Sequence, residues 1–438
     1  MLKKLLTPYG ARVITSERVR RWRDFPDRLK QRTHKLKPRV SLFHQFDDPY
    51  SYLALEASAL LVSRYEIDFE LLLVNDEPAA GHSDSVEARQ SWMRYRLHDA
   101  RRLARVWRMD DFLKVDLPSA EAVHYCTRCL AAAPPSTRAG LALKLTRALW
   151  NGDQSTLTAL FGEHEQGADE EARRLLLRGH NERTERGHYR AGMWEFNGSW
   201  FLGLDRLEFL EDDLQRWNLA RSDRSVHGEF YTPTRVPRLK AKILDVFFSL
   251  RSPYSYLCLA RLSRLYEQYE AKINLRFRPV LPMVDRGVAL SPEKLSFIMK
   301  DAARVANKQQ IAFGYVRDPL GPGLERCLSL FYYAQEQRKE REFLMSVTQG
   351  IWGEAVNIHS ERGRRKLTER AGLDWNEAKH HQDDMDLQAN LKKNQHQLEL
   401  MGLWGVPVFA LTDDSNGLVD VFWGQDRLPM LEYGLAEV

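Results

Sequence analysis

Cysteine is scarce in this chain, which has four cysteines among 438 residues. So few thiols in a chain of this length do not form a disulfide framework, and their scarcity indicates a reducing, cytoplasmic setting. Cys126 and Cys129 have C-x-x-C spacing, but they fall in a predicted helix, and no further ligands follow at zinc-like spacing. The sequence therefore predicts neither a redox pair nor a metal site at these two residues.

Long apolar runs are lacking as well. No stretch approaches the roughly 18–20 residues that span a bilayer, and the basic N-terminus lacks the apolar core of a secretory signal. We interpret residues 1–36 as a solvated, poorly packed leader rather than an organellar transit segment, because Glu17, Asp24 and Asp27 interrupt its basic character.

The chain also lacks a strong excess of charge of either sign. Its net charge is +5, from 65 basic and 60 acidic residues, and the two signs are mixed along the chain. This balance neither demands nor excludes nucleic acid. We expect a small molecule as the partner, with no nucleic acid and no membrane.

What is present is a set of motifs that occurs twice, about 200 residues apart. VSLFHQFDDPYSYL at 40–53 matches LDVFFSLRSPYSYL at 244–257, and SWFLGLDRLEFLE at 199–211 matches VFWGQDRLPMLE at 421–432. Between these motifs, three residues recur with the same intervals of four and three positions: Tyr95, Asp99 and Arg102 in the first copy, and Phe297, Asp301 and Arg304 in the second. The shared order of the matches predicts a tandem duplication.

Each repeat has the same predicted order of elements. An apolar strand leads into a turn, an amphipathic helix and a second strand within about 35 residues, which implies a parallel crossover. A long helix-rich stretch follows, and two short strands and a helix close the repeat; Asn197-Gly198 is a hairpin signal between the two strands of the first repeat. The predicted organisation is a leader at 1–36, a first domain at 37–217, a linker at 218–240 and a second domain at 241–438.

This order resembles the DsbA-like branch of thioredoxin folds. SPYSYL at 252–257, GVPVF at 405–409 and FWGQDRL at 422–428 are similar to motifs of the 2-hydroxychromene-2-carboxylate isomerase and kappa-class glutathione transferase family. The resemblance covers essentially all of 241–438, and it covers 38–217 more weakly. It implies an α/β fold with two tandem thioredoxin-like domains, each with a helical insertion.

The turn before the first helix of the second repeat carries the chemistry. Dithiol oxidoreductases of this fold have C-x-x-C there, whereas this chain has Ser252-Pro253-Tyr254-Ser255, so disulfide exchange is excluded at this place. A hydroxyl at a helix N-terminus stabilises an anion: the dipole contributes roughly 0.3–2 kcal/mol, and a charged hydrogen bond adds on the order of 1.5–3 kcal/mol. The alternative is that Ser252 only caps the helix, with Pro253 at its first position.

The resemblance implies glutathione as the ligand or cofactor. In the family, the serine holds the thiolate beside the residues that match Pro253 and Tyr254. A cis proline presents the backbone of the residue before it, here Val406 before Pro407, and an acidic residue receives the γ-glutamyl ammonium, here Asp426 next to Gln425. The alternative for Pro407 is a trans proline at the start of an edge strand. Taken alone, Asp426 is more often a helix cap than a ligand.

The family's helical insertion carries residues that line the pocket of the second substrate, a small-molecule electrophile. The second repeat keeps Asp301 and Arg304 of that segment, but it has Phe297 in place of tyrosine and Val305 in place of tryptophan. These departures weaken the prediction of a chromene substrate more than they weaken the prediction of glutathione binding. The alternative, which the residues alone favour, is that Asp301 and Arg304 form a surface ion pair on one helix face.

The first repeat lacks the thiol site. Asp48 stands in place of Ser252; a carboxylate caps a helix as well as a hydroxyl does, but it opposes thiolate formation by on the order of 1–4 kcal/mol. Aligning Ala191-Gly192-Met193-Trp194 with 404–407 puts Trp194 opposite the proline, and Asp205 keeps the place of Asp426. We expect this domain to be a degenerate scaffold or lid, and the tandem to be an intramolecular pseudo-dimer, since members of this family are commonly dimers.

The leading prediction is a glutathione-dependent isomerase or transferase that acts through the C-terminal domain, with Ser252 as its catalytic residue. Two alternatives stay open: a protein disulfide oxidoreductase of the same fold, and a non-catalytic binding protein.

Overall fold

The computed structural model describes residues 7–34, 37–75, 86–109, 111–164, 169–233, 243–269, 273–288, 290–413, 415 and 417–435. The chain divides into two compact units. The N-terminal unit comprises Trp22–Ala79 and Arg89–Val236, and the C-terminal unit comprises Met1–Arg21, Ala80–Ala88 and Pro237–Val438.

The first half of the described chain contains, in order, α1 (Pro8–Thr15), α2 (Glu17–His34), β1 (Arg39–His44), α3 (Pro49–Arg64), β2 (Asp68–Leu73), α4 (Val86–Val106), α5 (Ala120–Ala132), α6 (Arg138–Asn151), α7 (Gln154–His164), α8 (Asp169–Glu185), β3 (Met193–Phe196), β4 (Ser199–Leu202), α9 (Leu207–Arg216) and α10 (Val226–Phe230). The second half contains β5 (Ile243–Phe248), α11 (Pro253–Tyr269), β6 (Asn274–Pro279), α12 (Pro292–Lys308), α13 (Pro322–Glu336), α14 (Glu340–Trp352), α15 (Glu361–Arg370), α16 (Trp375–Ala378), α17 (Leu387–Leu400), β7 (Val408–Thr412), β8 (Leu418–Trp423) and α18 (Leu428–Leu435).

The two sheets have matching strand orders, β2-β1-β3-β4 and β6-β5-β7-β8. In each sheet the first two strands run parallel and the last two are antiparallel to their neighbours. The parallel pair needs a crossover, which α3 and α11 supply. The predicted order of strand, helix, strand, helical insertion, hairpin and helix is therefore confirmed in both halves.

The central strands β1 and β5 are buried along nearly their whole length. The sequence of β5, ILDVFF, is nearly all apolar, as suits a strand covered on both faces. Strand β1 also buries two polar residues, Ser41 and His44. The predicted hairpin turn is also present: Asn197 and Gly198 have φ of 47° and 70°, the left-handed conformation that Asn-Gly adopts at low cost.

A buried tryptophan of the insertion fixes the loop after each central strand. Trp150 Nε1 donates to the Phe46 carbonyl at 2.8 Å, and Trp352 Nε1 donates to the Leu250 carbonyl at 3.1 Å. Both indoles are at most 2% exposed. In each half, the insertion therefore positions the turn that leads into the first helix of the sheet.

The described part of the expected leader is helical. Helix α1 packs against α12 of the C-terminal unit, where Ala11 is fully buried and the Arg12 guanidinium lies 4.1 Å from the centre of the Tyr315 ring. The interpretation of this segment as poorly packed is therefore wrong for α1, because a small residue and a cation–π contact fasten it to the unit. Residues 1–6 and 35–36 of the leader lie outside the described residues.

The expected linker at 218–240 contains α10, and residues 234–240 lie outside the described residues. The Glu211 carboxylate accepts the backbone N–H groups of Val226 and His227 at 2.6 and 2.8 Å, and Val226 is buried. This part of the segment is thus capped and packed on the N-terminal unit. Among the described helices, none is both long enough and apolar enough to cross a bilayer.

Candidate functional site

Ser252 is the last residue before α11 and the last of the four-residue loop that follows β5. Its Oγ accepts the backbone N–H of Ser255 at 3.2 Å and donates to the Val406 carbonyl at 3.4 Å. The serine thus caps the helix, as the alternative interpretation expected, and it also touches the segment before β7. The side chain is half-buried, so one face of the helix start remains open to a ligand.

The second predicted segment meets the first at this contact. The Val406–Pro407 peptide bond is cis, as predicted, and Val406 is half-buried. The Pro407 carbonyl accepts the Gly424 N–H at 2.9 Å. This bond connects the start of β7 to the segment before α18, so three stretches that are distant in sequence converge near Ser252.

Gln425 and Asp426 follow directly after Gly424. Gln425 is 1% exposed, and its Nε2 donates to Asp426 Oδ1 in a short hydrogen bond. Arg261 on α11 donates from Nη1 to Gln425 Oε1 at 2.9 Å and to the Gln425 carbonyl at 3.1 Å. Arg261 therefore holds Gln425, and Gln425 orients the half-buried Asp426 carboxylate; sequence reasoning missed this arginine because its partner is 164 residues away.

Tyr254, Asp301 and Arg304 form a second network. Tyr254 Oη donates to Asp301 Oδ2 at 2.8 Å, and Arg304 Nη1 lies 3.7 Å from Asp301 Oδ1. Asp301 is 1% exposed, so the interpretation of Asp301 and Arg304 as a surface ion pair is wrong. The pair lies under α11 and anchors the tyrosine next to the helix start, because a buried carboxylate needs both a charge partner and a hydrogen bond.

Arg251, the residue before Ser252, is a further charge at this place. Its Nε and Nη2 bind the two Asp318 carboxylate oxygens at 2.8 and 2.9 Å. Such bidentate pairing fixes the guanidinium plane. Asp318 thus balances the charge of Arg251, and the features that favour an anionic ligand are the Ser252 hydroxyl and the N-terminus of α11.

Cysteine chemistry has no part in this arrangement. All four cysteines are free and buried, and burial raises the pKa of Cys258 and Cys327 to about 12 and that of Cys126 further. Buried thiols that stay protonated are unreactive. In the described part of the chain, no group of three His, Cys, Asp or Glu side chains is arranged to hold a metal.

The matching place in the N-terminal half is filled by the protein itself. Asp48 is 3% exposed; its Oδ1 accepts the Tyr50 N–H at 2.9 Å and lies 2.7 Å from Arg96 Nη2. The carboxylate therefore occupies the helix N-terminus as a fixed anion. Tyr50 Oη in turn donates to Asp99 Oδ2 at 2.8 Å, and Arg102 Nη1 lies 3.2 Å from Asp99 Oδ1. This arrangement matches the network of Tyr254, Asp301 and Arg304 in the C-terminal half.

The alignment that put Trp194 opposite Pro407 is wrong. Leu42 pairs with Trp194 in the first sheet and Val246 pairs with Phe409 in the second, so Gly192 takes the place of the proline. The Gly192 carbonyl accepts the Gly203 N–H at 3.0 Å, as the Pro407 carbonyl accepts that of Gly424. Trp194 does not crowd a groove: it is fully buried in β3.

Residues 243–436 match the family model of the DSBA-like thioredoxin domain. The C-terminal half is thus a DsbA-like thioredoxin domain, in a mixed α/β chain that contains a second sheet.

The individual relatives are enzymes of two kinds. The chain is 25% identical over 204 residues to 2-hydroxychromene-2-carboxylate isomerase of Pseudomonas putida, a match that covers 45% of this chain and 95% of the relative. It is 24% identical over 211 residues to glutathione S-transferase kappa 1 of Rattus norvegicus, with 45% and 92% covered. A solved structure of 2-hydroxychromene-2-carboxylate isomerase matches with 26% identity and a TM-score of 0.37, over 43% of this chain and 92% of that one.

Proposed function

We propose that the C-terminal half binds glutathione and acts as a glutathione-dependent isomerase or transferase on a small-molecule electrophile. The observation that carries the proposal is the half-buried Ser252 hydroxyl at the start of α11, 3.4 Å from the Val406 carbonyl. A hydroxyl at a helix N-terminus is a donor positioned for an anion. The distant relationship to isomerase and transferase enzymes supports the same reading.

Ser252 is the catalytic residue of this proposal. On binding, its hydroxyl hydrogen turns from the Val406 carbonyl to the sulfur of glutathione. The Val406 carbonyl then accepts an N–H of the ligand backbone, which pairs like an added strand. The Val406 carbonyl thus exchanges the Ser252 hydroxyl for an N–H of the ligand as its donor, and it is not left unpaired.

The other residues of the site hold the ends of glutathione. Asp426, oriented by Gln425, receives the γ-glutamyl ammonium as a charge-assisted hydrogen bond. Pro253 and Pro407 shape the two sides of the sulfur position, and Tyr254 is kept in place by Asp301 and Arg304.

The chemistry follows from the lowered pKa of the bound thiol. The helix dipole and the Ser252 hydrogen bond together favour the thiolate by on the order of 2–5 kcal/mol. The thiolate forms a C–S bond with an electrophilic carbon of the second substrate, whose electron pair moves onto its acceptor atom. Elimination of the thiolate after bond rotation gives an isomer, whereas protonation of the adduct gives a glutathione conjugate.

The N-terminal half is proposed to be the degenerate product of a tandem duplication, within residues 37–217, that persists as a scaffold or lid of an intramolecular pseudo-dimer. The matching strand orders support a common origin of the two halves. The Asp48–Arg96 ion pair supports the loss of the thiol site, because a fixed carboxylate repels a second anion. We propose a cytoplasmic location, on the ground that the free cysteines suit a reducing compartment.

Disulfide exchange is the weaker proposal for this fold. Ser252 and Ser255 occupy the two redox positions, and Ser255 is fully buried, with its Oγ bound to the Ser249 N–H. Neither residue supplies a sulfur for a mixed disulfide. An insulin-reduction assay that detects turnover would reverse this ranking.

Titration calorimetry of the full-length protein with glutathione tests the proposal. We expect Ser252→Ala and Asp426→Ala each to weaken binding by about tenfold to a hundredfold, as expected for loss of a charged hydrogen bond. Asp205→Ala, the same change at the matching residue of the N-terminal half, is the control and leaves the affinity unchanged. Unchanged affinity in both C-terminal variants would refute the site.

A further inference from the structure

Helix α2 carries its apolar residues on the outside. Trp22, Phe25 and Leu29 are 82%, 61% and 50% exposed. At about 100° per residue, the three side chains fall within about 60° of one another and form a continuous stripe. We call Trp22, Phe25 and Leu29 the outer stripe of α2.

The opposite side of the same helix is polar, and that side faces the protein. Asp24 is 4% exposed; its Oδ1 accepts the Asn197 amide at 3.2 Å, and its Oδ2 lies 3.8 Å from the Arg216 guanidinium. Arg28 donates to the Arg216 carbonyl at 2.8 Å. A surface helix normally buries its apolar stripe and exposes its polar face. Helix α2 does the opposite: its polar face contacts the protein and its apolar stripe is exposed.

Basic residues flank the outer stripe. Arg23, Lys30 and Arg32 are exposed, although the Arg23 guanidinium also lies 3.6 Å from Asp24 Oδ1. An apolar stripe with Lys and Arg on its borders is the pattern of a helix that lies in the interface of a membrane. Tryptophan, which has an apolar body and a polar N–H, prefers that interface.

We propose that α2 docks the protein on an anionic lipid surface, with Trp22, Phe25 and Leu29 inserted between the headgroups and Arg23, Lys30 and Arg32 on the lipid phosphates. Lying in the interface requires no bilayer-spanning length. A second copy of the chain fits the stripe less well, since two such helices would bring their own basic flanks together. Nucleic acid would use the flanking charges but leaves the three apolar side chains without a partner.

Flotation of the full-length protein with vesicles tests this proposal. The probes are vesicles of phosphatidylcholine alone and of phosphatidylcholine with a one-third share of phosphatidylglycerol. The wild-type chain should float with the anionic vesicles only, and the bound fraction should fall in about 0.5 M NaCl, where surface charges are screened. A chain that floats with neither preparation would overturn the proposal.

Two variants separate the stripe from its flanks. Trp22→Ser/Phe25→Ser/Leu29→Ser should lower the partition into anionic vesicles by about tenfold or more, and Arg23→Glu/Lys30→Glu/Arg32→Glu should do the same through charge. The matched control is Met385→Ser/Leu400→Ser, which removes two side chains that are 97% and 73% exposed elsewhere and should leave flotation unchanged.

Three results would overturn the docking proposal. The first is a triple serine variant that floats like the wild type. The second is a wild-type dimer in sedimentation velocity that the same variant converts to a monomer, which assigns the stripe to a second copy. The third is vesicle-independent binding of double-stranded RNA or DNA that survives the serine substitutions. Circular dichroism of each variant confirms that the fold is intact, as expected for exposed side chains.

Discussion

The two halves of the chain differ most at the residue that precedes the first helix of each sheet. In the C-terminal half this residue is Ser252, half-buried and preceded by Arg251. In the N-terminal half it is Asp48, buried against Arg96 and preceded by a second acid, Asp47. Around this difference the architecture is shared. Each half has the same strand order, a buried tryptophan of the insertion that donates to the preceding loop, and a tyrosine anchored to an Asp–Arg pair.

This comparison separates what the fold needs from what an anion site needs. The helix start requires a side chain that accepts a backbone N–H, and both Asp48 and Ser252 do so. An anion site also requires that the local positive potential be left for the ligand. In the N-terminal half, the Asp48 carboxylate already occupies the positive helix N-terminus and is paired with Arg96. The C-terminal residue that matches Arg96 is Ile298, since each lies three residues before the aspartate of the Asp–Arg pair. We therefore expect the N-terminal constellation to contribute to stability rather than to binding.

The largest effect is expected for removal of the internal anion. Asp48→Ala takes away a helix cap and leaves the largely buried Arg96 guanidinium, 14% exposed, without its carboxylate. The loss of one partner of a buried ion pair costs about 3 kcal/mol or more. Ser252→Ala removes only a cap, which costs about 1 kcal/mol. Urea unfolding of the two full-length variants measures this difference.

The control is the exchange of the whole pair. Asp48→Ser/Arg96→Ile gives the N-terminal half the residues of the C-terminal half, and it should recover most of the stability that Asp48→Ala loses, because no charge is then left unpaired. Equal losses for Asp48→Ala and Ser252→Ala would mean that the ion pair does not stabilise the N-terminal half, and the comparison would fail.

A smaller difference is expected in the response to acid. His44 lies in β1, where C-terminal strand β5 has Phe248; its Nδ1 is 2.9 Å from Ser51 Oγ and its Nε2 is 3.2 Å from Thr146 Oγ1. Burial lowers the pKa of His44 to about 4, although the Asp48 charge and the Ser51 hydrogen bond act in the opposite direction. The folded state thus keeps His44 neutral, whereas the unfolded chain binds a proton near pH 6.5.

The free energy of unfolding should therefore fall as the pH drops below about 6.5, and this contribution should level off below about pH 4. Between pH 7.5 and pH 5 we expect His44 to cost the wild type about 2 kcal/mol. His44→Phe should remove that share of the pH dependence, whatever its offset at neutral pH. Urea unfolding of both proteins at the two pH values checks this. His188, whose pKa burial lowers to about 3, titrates alike in both proteins; parallel pH profiles would contradict the assignment to His44.

The sequence was sufficient for the features that depend on local pattern. The order of strands and helices along the chain and the Asn197-Gly198 turn followed from periodicity and turn chemistry, whereas the convergence of the segments at Ser252, Val406 and Gly424 was implied by the resemblance to the family. Sequence could not reveal which side of α12 is covered: Asp301 and Arg304 are three residues apart whether they face water or the core. The repeated Tyr–Asp–Arg set was the available signal, since a tyrosine kept in both halves at 50 and 254 suggests a shared partner.

The misplacement of Trp194 has a different physical cause. Side chains alternate with a period of two along a strand, so a slip of two residues leaves the pattern of buried and exposed positions unchanged. The apolar pattern of 193–196 therefore fits either register. Only the backbone pairing, with Gly203 bound to Gly192 and Gly424 to Pro407, distinguishes them. The Arg261–Gln425 contact escaped for another reason: its two residues are 164 positions apart and share no local pattern.

The smallest effect is expected where Gly192 replaces the proline of the C-terminal half. Gly192 has φ of 68°, and an added Cβ would lie 3.3 Å from Asp48 Oδ2, whereas Gly187, with φ of 79°, has open space at the same position. Alanine at either residue costs about 1 kcal/mol for the left-handed backbone alone. Gly192→Ala should cost a few tenths of a kcal/mol more than Gly187→Ala, because the new methyl group presses on the Asp48 carboxylate. In an Asp48→Ser background the carboxylate is absent, and urea unfolding should then give the two alanine variants the same loss. A persistent difference would mean that the methyl group meets Ser51 rather than Asp48, and that this glycine is not shaped around the internal anion.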